Sequence, residues 1–454
     1  MTSADDRTLL VANRGEIALR ILRAARKLGL RTVCVYSEAD AEGPWLSLAD
    51  RSVCVGPAPA RDSYLNIPSI IRAAIVTGAD LIHPGYGFLS ESAEFADAVT
   101  AAGLTFVGPD ADVMRRMGDK VEAKRAMIEA GVPCVAGPDR PLDGSVEEIR
   151  AAAEATGYPL IVKAAGGGGG RGMRVVRVEA ELADAVSICQ QEAQRFFGNP
   201  TVYIEKFLEK PRHVEVQVMA DRQGNALWLG ARDCSLQRRH QKVIEESPPP
   251  GIPPAAIADL GERCANACRM LGYTGAGTFE FLYEDGEFNF IEMNTRIQVE
   301  HPVSEEVTGL DLVEMQIAVA LGRPLPIAQD AVRFSGHAIE CRITAEDPVR
   351  LTPAPGRITE LHLPGGPGVR VDSHLAEGYR IPASYDSLIA KLIVHGATRE
   401  EALARTAAAL ADYRIEGCGT TVPLAQRLIA DPAFVAGGVS IHYLDGLLKQ
   451  EAEQ

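Results

Sequence analysis

Between Phe290 and His301 the chain reads Phe-Ile-Glu-Met-Asn-Thr-Arg-Ile-Gln-Val-Glu-His. As an extended segment leaving a strand, it alternates: Glu292, Asn294, Arg296, Gln298 and Glu300 take one face, and Ile291, Met293, Thr295, Ile297 and Val299 the other. The polar face offers a carboxylate, an amide, a guanidinium, an amide and a carboxylate. Ordinary exposed strands are sometimes this polar, so the pattern gains meaning from the rest of the chain. Glu280 supplies a further carboxylate, Glu280 and Glu292 being expected to end two partner strands joined through the hairpin signal Glu284-Asp-Gly-Glu287. Glu280, Glu292 and Asn294 form an all-oxygen donor set, suited to Mg²⁺ bridging phosphates rather than to zinc.

A second constellation is Lys163-Ala-Ala-Gly166-Gly-Gly-Gly-Gly170-Arg-Gly172. Glycines without Cβ let backbone N–H groups wrap phosphate oxygens and let a loop open and close. A P-loop is excluded because GxxxxGK[ST] is absent, and a dinucleotide fingerprint is excluded because a strand, not a helix, is expected next. A lysine ending the preceding strand and an arginine inside the run favour a mobile phosphate clamp over a plain linker.

These groups need elements to hold them. Leu9–Ala12, Arg31–Tyr36, Arg51–Val55, Ala79–Ile82 and Leu104–Val107 read as strands separated by helical stretches, which predicts a doubly wound parallel sheet. The turn His83-Pro-Gly-Tyr-Gly-Phe88 follows a strand end, where such sheets place ligands. A helix over 119–130, a Pro/Gly-rich link over 131–144, a helix over 146–156 and strands at 160–163, 173–178 and 201–205 around a helix over 180–195 read as a small α+β lid. From Pro211 alternation dominates, with strands at His213–Met219, Phe279–Leu282 and Phe288–Asn294. Short strands with Pro/Gly turns follow Val332, then helices near 399–412 and 420–430.

The 454 residues carry 46 basic and 61 acidic side chains, a net charge of −15, which argues against general nucleic-acid or anionic-membrane binding. Nine cysteines occur singly, without a CxxC pair, and read as free, mostly buried thiols. Neither a signal peptide nor an apolar run of about twenty residues is present, so a soluble cytoplasmic protein is expected.

Taken together these segments resemble an ATP-grasp enzyme, specifically the biotin carboxylase subunit of biotin-dependent carboxylases of the acetyl-CoA carboxylase type. The resemblance runs from Ala12-Asn-Arg-Gly-Glu-Ile-Ala18 to Ile441-His-Tyr-Leu444. Its motifs are His83–Ser90, Met117-Gly-Asp-Lys120, the glycine run, Arg232–Lys242 and Glu292–Pro302. It implies a doubly wound N-terminal domain over 1–118, an ATP-grasp domain over 119–330 with a lid at about 135–208, a C-terminal mixed α/β domain with an antiparallel sheet over 331–449, and a tail over 450–454.

The implied reaction converts ATP and bicarbonate to ADP and carboxyphosphate and passes the carboxyl group to N1′ of biotin. By the same resemblance Lys120, Lys163, Gly169, Gly170, Glu205, Lys206, Phe207, Leu208, His213, Gln237, His240, Glu280 and Glu292 bind ATP, with Glu205 to Leu208 along the adenine slot. Glu280, Glu292 and Asn294 hold Mg²⁺ or Mn²⁺. Lys242, Arg296, Gln298 and the Val299 amide bind bicarbonate, Glu300 is the general base, and Arg342 faces the biotin enolate oxygen. Alternatively, Arg342 is a structural partner of Glu340 or Glu346. His83 and His301 read as turn-fixing residues.

The chain departs from the familiar pattern at Gly43-Pro-Trp-Leu46, and at Lys27 and Pro367 in the region relatives use for a homodimer contact; a homodimer is nevertheless expected. No Ala/Val-Met-Lys-Met motif is present, so the biotin carboxyl carrier protein and the carboxyltransferase are expected on other chains. Two other readings are another ATP-grasp carboxylate ligase and a catalytically silent nucleotide-binding subunit.

Overall fold

The computed structural model describes residues 6–138, 142, 145–164 and 172–452. Its first sheet comprises β1 (Thr8–Val11), β2 (Arg31–Ser37), β3 (Arg51–Gly56), β4 (Leu81–His83) and β5 (Thr105–Phe106), all parallel, in the order β3-β2-β1-β4-β5. Leu9, Leu10 and Val11 are buried on both faces, as an unbroken apolar run in a central parallel strand requires. Strand order reverses at β1, so a crevice opens beyond the ends of β1 and β4, where Asn13, Arg14, Tyr86 and Gly87 lie. The Asn13 amide donates to the carbonyls of Pro84 (2.6 Å) and Tyr86 (2.8 Å), pinning the turn after β4. Gly85 has φ +66°, and a Cβ there would lie 2.9 Å from that amide, so the clamp demands glycine.

The lid has β6 (Leu160–Ala164), β7 (Met173–Val176) and β8 (Val202–Lys206) in antiparallel order β7-β6-β8. Helices Val146–Thr156 and Leu182–Phe197 pack on it through Ala153, Val186 and Cys189 against Leu160, Val162 and Ile204. Of the predicted glycine clamp, residues 166–170, with Gly169 and Gly170, lie outside the described residues.

The remaining strands are β9 (Arg212–Ala220), β10 (Ala226–Arg238), β11 (Gln241–Ser247), β12 (Gly275–Glu284), β13 (Glu287–Asn294), β14 (His337–Thr344), β15 (Glu360–His362), β16 (Val369–Ser373), β17 (Leu388–Gly396) and β18 (Arg414–Glu416). Eight of them build one antiparallel sheet, β13-β12-β9-β10-β11-β14-β17-β16, while β15 and β18 pair separately. The predicted hairpin is present: Asp285 and Gly286 both have positive φ, as a two-residue turn between twisted strands requires.

Two expectations are corrected. The extended alternation does not run to Glu300, because β13 ends at Asn294 and the chain turns, leaving Glu300 at the cap of helix His301–Thr308. Glu280 lies in mid-strand rather than at a strand end. All nine cysteines are free and six are buried.

Candidate active site

The register of the large sheet places charged side chains in rows. Arg232 on β10 stands opposite Glu215 on β9, Glu215 opposite Glu280 on β12, and Glu280 opposite Glu292 on β13. Like charges directly opposite one another are destabilising, so three carboxylates in a row need cations. Lys242, just past the two-residue β10–β11 turn, supplies one: its ammonium lies 2.6 Å from Glu215, 3.1 Å from Glu280 and 2.5 Å from Glu300. Arg239 and His240 in that turn both have left-handed φ, +48° and +66°, which is costly for residues with Cβ and marks a constrained site.

Arg232 is wholly buried, yet all its donors are used. Nε reaches Glu215 (2.5 Å), Nη1 reaches Gln217 (2.7 Å) and Ser304 (2.9 Å), and Nη2 reaches Thr278 (3.2 Å) and Gln298 (2.6 Å). Gln298 passes the constraint on, its amide donating to Glu280 at 2.7 Å.

Burial pushes the Glu215, Glu280 and Glu300 carboxyls upward, but neighbouring cations hold all three below the usual carboxylate value: Arg232 and then Lys242 for Glu215, Lys242 and then His213 for Glu280, and Lys242, Arg342 and Arg232 for Glu300. The same attraction, opposed by burial, keeps Lys242 charged. His213 lies 3.3 Å from Glu280 and 3.5 Å from Glu215; burial disfavours its charge, yet the carboxylates win and raise it to about 9.

Beyond β13, Arg296 donates to Glu91 (2.9 Å), Asn294 (2.5 Å) and the Ile297 carbonyl (3.2 Å). Arg342 on β14 donates from Nε to Glu245 (2.5 Å) and from Nη2 to Glu300 (2.9 Å). Its partners are therefore not Glu340 or Glu346; β11 interposes Glu245, while Glu346 pairs with Arg238 at 3.1 Å. The Val299 carbonyl accepts from the buried Lys391 at 2.9 Å.

One cavity of about 850 Å³ gathers many of these groups, while Glu91, Glu215, Arg232, Glu245 and Lys391 stand behind its lining. Its wall includes Lys120, Lys163, Glu205, His213, Gln237, His240, Lys242, Glu280, Glu292, Asn294, Arg296, Gln298, Val299, Glu300 and Arg342. Lys163 reaches Glu205 at 2.5 Å, and Lys124 approaches the same carboxylate at 3.6 Å. Lys206, Phe207 and Leu208 are not on this wall; the Lys206 ammonium donates instead to the Tyr158 carbonyl at 3.0 Å.

Glu215, Arg232, Glu245 and Glu91 were missed as site residues by the sequence reading. Glu215 was accessible, since it sits two residues beyond His213 on one strand and shares its face. Nothing local marks Glu91, which meets Arg296 only through the tertiary fold.

His83 and His301 are fully buried. Burial lowers His83 to about 3, and its Nδ1 accepts from the Gly85 amide. His301 is likewise held uncharged by burial. No helix among the described residues is long and apolar enough to cross a membrane.

Three family profiles match the chain: biotin carboxylase, N-terminal domain, over residues 5–114; carbamoyl-phosphate synthase L chain, ATP binding domain, over 119–328; and biotin carboxylase C-terminal domain over 340–446. A biotin carboxylase of Pseudomonas aeruginosa is 60% identical over 437 residues, covering 96% of this chain and 97% of the relative. A Campylobacter jejuni biotin carboxylase, solved as a β,γ-ATP complex, superposes with a TM-score of 0.92 at 46% identity, covering 98% of this chain and 100% of that one. The biotin carboxylase domain dimer of Hydrogenobacter thermophilus 2-oxoglutarate carboxylase, solved with MgADP, ADP and bicarbonate, gives 0.89 at 44% identity, covering 97% of each chain.

Proposed function

The chain belongs to the biotin carboxylase family, and on that premise we propose that it uses ATP and bicarbonate to carboxylate biotin at N1′, with the residues of the cavity in the following roles. The observation that carries this reading is Glu300, held at once by Lys242 and Arg342 and standing beside the Glu280–Glu292 pair.

Arg296 and Gln298 orient bicarbonate, the guanidinium fork matching two oxygens of a planar anion. Glu300, ionised under its two cations, takes the bicarbonate proton, and the freed oxygen attacks the γ-phosphorus as the bond to ADP breaks. Lys242 is shared among three carboxylates, so a transferring phosphoryl group competes for it. As Lys242 turns toward that charge, Glu300 loses a cation and gains proton affinity when it must act as a base. Carboxyphosphate then yields CO₂ and phosphate, and the phosphate removes the N1′ proton. Arg342 faces the ureido oxygen on which negative charge develops as N1′ attacks CO₂.

Lys120, Lys163, His213, Gln237 and His240 hold the nucleotide, and of the Glu205–Leu208 segment Glu205, which is on the cavity wall, borders the adenine. Glu280, Glu292 and Asn294 offer only oxygen donors, and Glu292 opens onto the cavity, a set that fits Mg²⁺. That ion would neutralise β- and γ-phosphate charge when bound. Biotin arrives on a carrier chain, and a carboxyltransferase chain takes the product to the final acceptor. The homodimer is part of the same reading, with Lys27 paired here to Asp311 and Glu314 of its own chain.

The test is ADP release by the purified protein with Mg-ATP, with and without bicarbonate and biotin. Bicarbonate-dependent release stimulated by biotin supports the reading. Nucleotide binding without turnover, even with a biotinylated carrier, favours the silent-subunit alternative.

A further inference from the structure

Glu340 on β14 stands directly opposite Glu245 on β11, and both are fully buried. Residues so paired bring their Cβ atoms to about 4.5–5.5 Å on one face of the sheet, so the two carboxyl groups are neighbours. Glu245 spends Oε1 on Arg342, and its Oε2 has no hydrogen-bond partner among the described residues. Glu340 has none at either oxygen. An ionised carboxylate buried without a donor is too costly to persist, and two carboxylates have no hydrogen to give one another. A single added proton joins one Glu340 oxygen to Glu245 Oε2 and removes one of the two buried charges.

We propose that Glu245 and Glu340 share one proton across the β11–β14 ladder and act as a positioning pair that leaves the positive charge of Arg342 available toward the cavity. This rests on the role assigned above to Arg342.

The groups around Glu340 leave few alternatives. Lys391 on β17 is engaged by Glu16 (3.2 Å) and the Val299 carbonyl (2.9 Å), with Asp372 of β16 at 4.0 Å. The Tyr86 hydroxyl, from the turn after β4, is given to Glu16. On helix His301–Thr308, His301 is uncharged, Glu305 is taken by Arg20 (2.7 Å) and Arg370 (2.8 Å), and Glu306 also lies by Arg370 (3.3 Å). Arg342 and Lys242 already hold Glu300. Burial pushes both members of the pair upward, Glu245 to about 7 and Glu340 well above its usual value.

If both were ionised, Arg342 would face three carboxylates, Glu300, Glu245 and Glu340, and its field at the ureido oxygen would be overneutralised. The shared proton removes one of them. As pH rises the pair loses that proton, so the biotin-dependent step weakens on the alkaline side.

The experiment compares the wild type with Glu340→Gln and Glu340→Ala in the full-length protein. Gln reproduces a protonated carboxyl in shape and can donate to Glu245; Ala does neither. Expected are a protonated-carboxyl infrared band in the wild type that Glu340→Gln removes, and kcat/KM for biotin about tenfold lower in Glu340→Ala. Glu340→Gln restores most of that loss and moves the alkaline fall to higher pH. An unchanged band, or a Gln variant no better than Ala, overturns the proposal. So does a Glu340→Gln protein that fails to fold, since an amide replaces a protonated carboxyl here but not an ionised one. Band and folding are read without turnover, so a failed function assignment leaves them interpretable.

Discussion

The Lys242 ammonium lies 2.5 Å from Glu300 Oε1, while Arg342 Nη2 lies 2.9 Å from Glu300 Oε2, so one buried carboxylate carries a different cation on each oxygen. The two cations come from β11 and β14, adjacent strands of one sheet. On the proposed reading, Lys242 answers to phosphoryl charge and Arg342 to biotin, which places Glu300 between the two half-steps.

Removing Lys242 therefore releases three carboxyls at once. In Lys242→Gln, Glu215, Glu280 and Glu300 all rise toward or above ordinary values. A carboxyl whose folded pKa is depressed contributes stability above its unfolded value of 4.5 and loses it as pH falls through the folded value. Without Lys242 that loss begins at higher pH. An acid titration followed by circular dichroism is expected to show the variant unfolding at higher pH than the wild type.

His213 works with the opposite sign. Its folded value is raised from 6.5 to about 9, so its contribution is complete below pH 6.5 and disappears as pH climbs through 9. Wild-type Tm is expected to fall across that window, and the fall is expected to flatten in His213→Gln. Equal slopes in the two proteins would contradict the assignment.

Arg232 touches no solvent and holds Glu215, Gln217, Thr278, Gln298 and Ser304 together. Arg232→Met leaves Glu215 without its buried partner, at a cost of about 3–5 kcal/mol. Denaturant unfolding is expected to show this as an earlier transition, and KM for bicarbonate is expected to rise because Gln298 loses its anchor.

Arg342→Lys tests geometry apart from charge. A lysine keeps the charge but lacks the fork that reaches Glu245 and Glu300 together. Biotin-stimulated ADP release is expected to fall about a hundredfold, the scale of losing one preorganised donor. Bicarbonate-dependent release measured without biotin is expected to fall much less.

Much of this was legible beforehand. Glu280 and Glu292 were inferred to lie on partner strands because Asp285-Gly286 marks a two-residue turn, but that turn alone would set Glu280 opposite Ile291; a register shift between Phe281 and Glu280, which nothing local announces, brings Glu292 opposite Glu280. The parallel sheet was legible because Leu9-Leu10-Val11 and its counterparts are apolar runs spaced by helices. The alternation toward Glu300 misled: a period of two holds only while the ladder continues, and the ladder stops at Asn294. Glu91 and Glu245 were invisible because they meet Arg296 and Arg342 across 205 and 97 residues of chain, contacts that tertiary packing alone creates.

The most direct test of the central claim follows oxygen. If Glu300 deprotonates bicarbonate for attack on the γ-phosphorus, one bicarbonate oxygen ends in the released phosphate. With ¹⁸O-labelled bicarbonate, Mg-ATP and biotin, wild-type turnover is expected to place one labelled oxygen in each phosphate. In Glu300→Gln the rate is expected to drop about a hundredfold or more. Unlabelled phosphate released at the wild-type rate would mean that water, not bicarbonate, attacks ATP, and would contradict the account.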